Sequence, residues 1–250
     1  MIVRDCGETW QIVLQPDHAD LSGQFAAAWA DRGPGFDSLA VASRRHDDGW
    51  AVWERAPMID AESSRPLTFL DVHVPAHLAF YRACIAAVTD DDAYAGLLVS
   101  MHGAGIYRQR YGRDPGLSLT YAEAFAAQVE AFVAEQESGY PARIGAIGVD
   151  DDERWRNYEL LQLYDRLSLY FCMRDVASGE EAEFQGFRLE PLAPWQVRID
   201  PYPFRDGQAR FSLLRRVLPK RSWDQNEFRR EFFAQQPETT AIVIEGQPEH

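Results

Sequence analysis

Histidine and aspartate stand side by side at His46 and Asp47, within A-V-A-S-R-R-H-D-D-G-W-A-V-W (residues 40–53), where a helical pattern gives out at Gly49. His18 lies upstream, His73, His77 and His102 lie downstream, and Asp165 falls later inside an apolar helical pattern. Imidazole nitrogen and carboxylate oxygen together suit borderline and harder divalent metals, so the set points to one or two ions of iron, manganese or zinc. Asp165 stands out on physical grounds. A carboxylate on an otherwise apolar helix must be ion-paired, hydrogen-bonded or metal-bound, since an unpaired buried charge costs about 3 to 5 kcal/mol. Its neighbour Arg166 points in another direction, which leaves a distant arginine as the alternative to a metal. Taken alone, His46 and Asp47 also fit a solvated helix end, and Asp48 fits the cap of a turn beside Gly49. The ordered set across the chain favours a site.

The elements that must gather these residues are mostly helices. After a weakly alternating strand or hairpin over 1–15, the spacing of Leu21, Phe25, Ala28 and Trp29 predicts an amphipathic helix capped by Asp17, with His18 in its first turn. A second helix over about 37–47 ends on His46 and Asp47. The following segment, through Pro57, Asp60, Ser63, Ser64, Arg65 and Pro66, is rich in turn formers and reads as an irregular loop able to cover a pocket, pinned by Trp50 and Trp53. Pro75 opens a helix over about 75–88 that carries His77. The run Asp90 to Asp92 caps a fourth, with His102 near its end. A polar loop around Arg108 to Pro115 precedes a helix over about 121–137, and the glycines of Y-P-A-R-I-G-A-I-G-V then predict a connection. The last long helix, about 151–174, is apolar nearly all round and so belongs at the middle of a bundle.

Beyond Ser178 and Gly179 the texture becomes β-like, with strands expected near 183–190, 195–200, 209–217 and 239–245 and one helix over about 224–234. The expected architecture is therefore mainly α, a helical metal-binding domain over 1–178 with a small β-rich (α+β) extension over 179–250 packed on the bundle.

Composition narrows the function. With 46% hydrophobic and 12% aromatic residues in 250, the chain can bury a substantial core. A formal charge of -14 opposes nucleic acid and anionic membranes as partners. A small anionic substrate would need local cations, and Arg108, Arg110 and Arg113 form the best-placed cluster, although a solvated loop explains them as well. Arg44 and Arg45 precede the His-Asp pair, but helical geometry turns at least one of them away. Trp50 is a candidate pocket wall. Cys6, Cys84 and Cys172 lack metal or redox spacing and read as reduced core residues of a cytoplasmic protein. No signal peptide or membrane span is expected. P-loop, esterase-elbow and zincin motifs are missing.

The order His18, His46-Asp47, His102, Asp165, with Y-D-R-L-S at the last, resembles the ligand pattern of the HD-domain superfamily of metal-dependent phosphohydrolases. Nearly the whole chain, through Q-P-D-H-A-D-L-S-G-Q, H-D-D-G-W, L-L-V-S-M-H-G and L-Q-L-Y-D-R-L-S-L-Y, is similar to an uncharacterised bacterial family, domain-of-unknown-function family 3891. The superfamily resemblance implies an HD-like bundle in which His18, His46, Asp47 and Asp165 hold one metal. Asp47 would bridge to a second ion held by His102 and by His77 in preference to His73. It further implies hydrolysis of a small phosphate ester or nucleotide by metal-activated water, with Asp47 and His102 as the catalytic residues. Some HD-domain proteins use a similar set in di-iron oxygenases, which is a second expectation. A non-catalytic helical protein that binds a ligand or partner is a third.

Overall fold

A computed structural model describes residues 1–113 and 120–247; Asp114 and Pro115 of the expected polar loop lie outside the described residues. The alternation at the start of the chain folds as β1 (Ile2–Asp5) and β2 (Thr9–Val13), antiparallel about Gly7 in the left-handed conformation that glycine adopts without strain. Next come α1 (Gln15–Ala28), α2 (Phe36–Arg45), a 3-10 turn at Asp48–Trp50 and the single-turn α3 (Ala51–Glu54). Three helices follow the long loop: α4 (Val74–Asp91), α5 (Ala93–Gly105) and α6 (Ala126–Ile147). Asp92 caps α5 as expected, accepting from the amides of Tyr94 and Ala95. In α1 the cap position is Leu14 rather than Asp17, and Pro16 fills the first turn.

The expected connection over 140–149 is helical, because α6 runs on through Gly139, Pro141 and Gly145 to a left-handed stop at Gly148. Tyr140, Ile144 and Ile147 pack on the core there, and tertiary contact outweighs the poor helix propensity of glycine. The central helix, α7 (Asp151–Met173), packs against α1, α2 and α5, while α5 also lies on α4 and α6.

The expectation of a mainly α, HD-like bundle with a small β extension is overturned. Of the described residues, 54% are helical and 20% in strands, an α+β fold with a seven-stranded mixed sheet. After β3 (Ala182–Phe184), β4 (Phe187–Ala193) and β5 (Gln196–Asp200), β6 (Gln208–Pro219) crosses to the N-terminal hairpin. The sheet order is β1-β2-β6-β7-β5-β4-β3, with β7 (Glu238–Glu245) antiparallel to β6 and parallel to β5. Pairing of β2 with β6, Trp10 opposite Leu218 and Ile12 opposite Arg216, joins strands some 200 residues apart in sequence. Each strand alone looks like a minor feature, and only this distant pairing makes them one layer.

Helix α1 lies on β6, with Phe25 meeting Phe211 edge-on at 4.7 Å, so the helix that carries His18 is fixed on one side by the sheet and on the other by α7. A smaller core, with Trp10, Leu218, Phe228 and Phe232, seats α8 (Gln225–Ala234) beside the hairpin. Within the long loop, Thr68 and Asp71 form a capping box and Arg65 holds Asp71 through both carboxylate oxygens at 2.9 Å, which locks a 3-10 turn at Phe69–Asp71. Among the described residues, no helix is long and apolar enough to cross a membrane.

Candidate functional site

Four buried ligand-type side chains converge where α1, the end of α2 and α7 meet. His18 projects from the first turn of α1, His46 caps the C-terminus of α2, Asp47 follows it, and Asp165 stands midway along α7. The two imidazole Nε2 atoms are 3.3 Å apart. Asp47 Oδ2 lies 3.2 Å from His18 Nε2 and 3.8 Å from His46 Nε2, and Asp165 Oδ1 lies 3.7 and 3.6 Å from the same two atoms.

The outer nitrogens fix which end of each ring carries the proton. His46 Nδ1 is 2.9 Å from the carbonyl of Ser43, one of the unpaired carbonyls at the end of α2, so Nδ1 must be the donor. His18 Nδ1 is 2.6 Å from Ser168 Oγ, whose hydroxyl donates to the carbonyl of Asp165 at 2.8 Å, so that nitrogen donates as well. Ser22 adds a hydroxyl 2.9 Å from Ser168. Both Nε2 lone pairs therefore face each other and two carboxylates. That arrangement needs a cation, either a proton or a metal ion.

A metal ion fits the spacing: bonds of about 2.1 Å place neighbouring donors about 3.0 to 3.4 Å apart, against the 3.2 to 3.8 Å between the two Nε2 atoms and from each of them to either carboxylate. Among the described residues, the sets able to hold an ion are His18, His46 and Asp165, and His46, Asp47 and His102. His77 belongs to neither; its Nδ1 is hydrogen-bonded to the hydroxyl of Tyr107. His73 is exposed at the cap of α4.

His102 is arranged differently from His18 and His46. Its Nδ1 lies 3.2 Å from an Arg110 guanidinium nitrogen and 3.3 Å from the Gln162 side-chain amide, both donors, so the ring proton sits on Nε2. Burial, then Arg110 and His46, lower its pKa to about 3, which keeps it neutral. Burial likewise lowers His77 to about 4. For His46 burial also opposes charge, but Asp47 and Asp165 overcome it and raise the pKa to about 9. Asp47 and Asp165 resist burial through the facing histidines and stay well below the usual carboxylate range.

This charge pattern sets a pH dependence for the metal-free protein. His46 binds its proton more tightly folded than unfolded, so its contribution to stability is complete below pH 6.5 and disappears as pH rises through about 9. In urea unfolding with chelator present, the stability difference between the wild type and His46→Gln is expected to shrink by up to about 1.4 kcal/mol per pH unit across that window. A difference independent of pH would show that His46 is not the protonated partner.

The three candidate arginines separate. Arg110 is buried with Nη2 3.5 Å from Asp165 Oδ2, whereas Arg108 pairs with Glu137 and Arg113 with Glu159 at half-exposed positions. The separation comes from the backbone: Gln109, Arg110 and Tyr111 have φ of 50, 51 and 53°, followed by Gly112 at 75°. Three successive non-glycine residues in the left-handed region cost about 1 kcal/mol or more each, and the turn they make drives Arg110 inward between its neighbours.

Trp50, only 1% exposed, packs against Trp53, Phe69, His77 and Phe80 and lines the cavity. Gly49 lets the 3-10 turn touch α4, since a Cβ there would stand 2.2 Å from the Phe80 carbonyl oxygen. Asp48 faces outward, paired with Arg45. Cys84 bonds the carbonyl of Arg45 through its thiol; with Cys172 it is buried, while Cys6 is exposed and so departs from the expected core role.

The cavity has a volume of about 230 Å³. His18, Asp47, Asp165, His102, Arg110 and Tyr81 form its charged end, Phe69, Leu70, Ile106, Leu169 and Met173 form an apolar wall, and Gln15, Trp50 and His77 complete the lining. Tyr81, Ser168, Ser22 and Gln162 are functional neighbours that residue type alone does not single out. Tyr81 donates to Asp47 Oδ1 at 3.0 Å. All four sit three or four residues from a candidate ligand on a helix (His77, Asp165, His18 and Asp165), and that spacing is the signal the sequence offers for them.

Fold and site together define an α+β protein with a buried two-histidine, two-carboxylate centre at the charged end of a cavity. The chain belongs to the family described as Protein of unknown function (DUF3891), which matches residues 1–220. No curated protein and no solved structure matches it.

Proposed function

We propose that the protein is a metal-dependent hydrolase of a small anionic phosphate ester. The observation that carries this reading is the pair of Nε2 lone pairs on His18 and His46, held toward Asp47 and Asp165 by hydrogen bonds on the opposite ring nitrogens. These four residues would hold a divalent iron, manganese or zinc ion, which when bound supplies an acidified water and withdraws charge from the phosphoryl group. Their order along the chain is the ligand order of HD-domain phosphohydrolases, and it is this order that supports the comparison.

The remaining residues have separable tasks. In the metal-free protein Asp47 and Asp165 are balanced by Arg110 and protonated His46; a divalent ion in place of that proton would leave one positive charge in excess, so the loaded pocket suits an anion. Arg110 offers guanidinium donors to phosphoryl oxygens. Neutral His102, with its proton on Nε2, can donate a hydrogen bond to a developing oxyanion. Tyr81 orients the Asp47 carboxylate, and a ligand seated on the apolar wall would close the charged end to bulk water.

The test is hydrolysis of phosphate mono- and diesters by purified protein before chelation, after it, and after return of Mn²⁺, Fe²⁺ or Zn²⁺. Activity should vanish with the metal and return with it. Activity that survives chelation, or no hydrolysis by any loaded form, would refute the reading.

A further inference from the structure

Resting on the hydrolase reading, we propose that the ester handled here carries an apolar body, an alkyl or aryl group, and is neither a nucleotide nor a sugar phosphate. On α7, Asp165, Leu169 and Met173 follow one another at four-residue steps, and all three line the cavity, from its buried end to its open end. His102 and Ile106 repeat that step from α5. The open end is completed by Phe69 and Leu70. None of these five wall residues has a side-chain nitrogen or oxygen; of the other lining residues, Gln15 Oε1 and Trp50 Nε1 are buried and His77 Nδ1 is taken by the Tyr107 hydroxyl. Ribose hydroxyls or base edges placed there would leave water without gaining partners, whereas each methylene buried is worth about a fourfold gain in affinity.

Two further facts point to a ligand that covers this wall. Leu70 is 62% exposed and Met173 45% exposed, two of the five large hydrophobics so exposed among the described residues, and both stand at this one opening. Leu70 is also held rigidly, on the turn locked by the Thr68–Asp71 capping box and the Arg65–Asp71 pair, so its exposure is built into the loop. A preformed apolar surface continuous with a charged floor fits a ligand with a charged head and an apolar body.

Calorimetric titration of the Mn²⁺-supplemented protein with methyl-, butyl- and hexylphosphonate, and with adenosine monophosphate, tests this without turnover. Affinity should rise two- to fourfold per methylene, and hexylphosphonate should bind at least tenfold tighter than the nucleotide. Leu70→Asp and Met173→Asp should flatten the chain-length dependence, while Val52→Asp, which changes an exposed side chain outside the cavity wall, should preserve it. Tight binding of methylphosphonate with no dependence on chain length, or tighter binding of the nucleotide, overturns this inference alone. Failure of every phosphonate to bind overturns it together with the hydrolase reading.

Discussion

If the protein is the metal-dependent hydrolase proposed above, Asp47→Asn is expected to abolish metal binding and reduce hydrolysis below about one hundredth of wild type, while Asp48→Asn, one residue on, changes neither. The substitution keeps the size of the side chain and an oxygen able to accept from Tyr81, but removes a negative charge that faces both Nε2 atoms. Losing an outer partner of a metal ligand costs roughly 10- to 100-fold in affinity; losing an anionic ligand should exceed that, and Ser168→Ala should fall within it. Asp48 pairs with Arg45 at a part-exposed position and has no role in the centre. Metal content after dialysis and thermal unfolding with and without added ion are the measurements. With the ion at about 100 times its Kd the wild type should gain about 2.7 kcal/mol, and the Asp47 variant should show no such gain. Equal metal content in Asp47→Asn and Asp48→Asn would remove Asp47 from the site.

Gly49→Ala is expected to cause a large loss of stability. The added Cβ would stand 2.2 Å from the Phe80 carbonyl oxygen and 3.1 Å from the Cys84 Cβ. The first of these is backbone in the middle of α4, so relief requires α4 and the 3-10 turn to separate. Overpacking of this kind costs about 3 kcal/mol, or roughly 6 to 12 °C in Tm for a chain of this size. Because α4 also carries Tyr81, the shift should weaken metal binding as well. Gly145→Ala is the contrast: in the last turn of α6, nothing stands within 4 Å of the place its methyl would take, so the change should stabilise by up to about 1 kcal/mol. Denaturant unfolding of the two variants decides it; an unchanged midpoint for Gly49→Ala would mean that the turn does not depend on that contact.

The parts of this protein that sequence reveals are those with local causes. His18, His102 and Asp165 lie on helices, and His46 and Asp47 just past the end of one, whose apolar spacing can be read directly, and all five line or adjoin one cavity. The seven-stranded sheet escapes because its decisive contact, β2 with β6, depends on residues some 200 positions apart, and short strands carry no record of their partners. Arg108, Arg110 and Arg113 are alike in sequence; a left-handed turn that no local pattern requires buries the middle one and leaves the others paired at the surface. Likewise the tautomer of His46 depends on the Ser43 carbonyl at the end of α2, which is a property of the backbone rather than of residue type.

The central claim is a metal ion held by His18, His46, Asp47 and Asp165. Anomalous diffraction from crystals of the metal-loaded protein, collected at the absorption edge of the ion found by elemental analysis, tests it directly. A single peak is expected, with both Nε2 atoms about 2.0 to 2.2 Å away and oxygens of both carboxylates at similar distance. A peak elsewhere, or none at these side chains in protein saturated with Mn²⁺, Fe²⁺ and Zn²⁺ in turn, would contradict it.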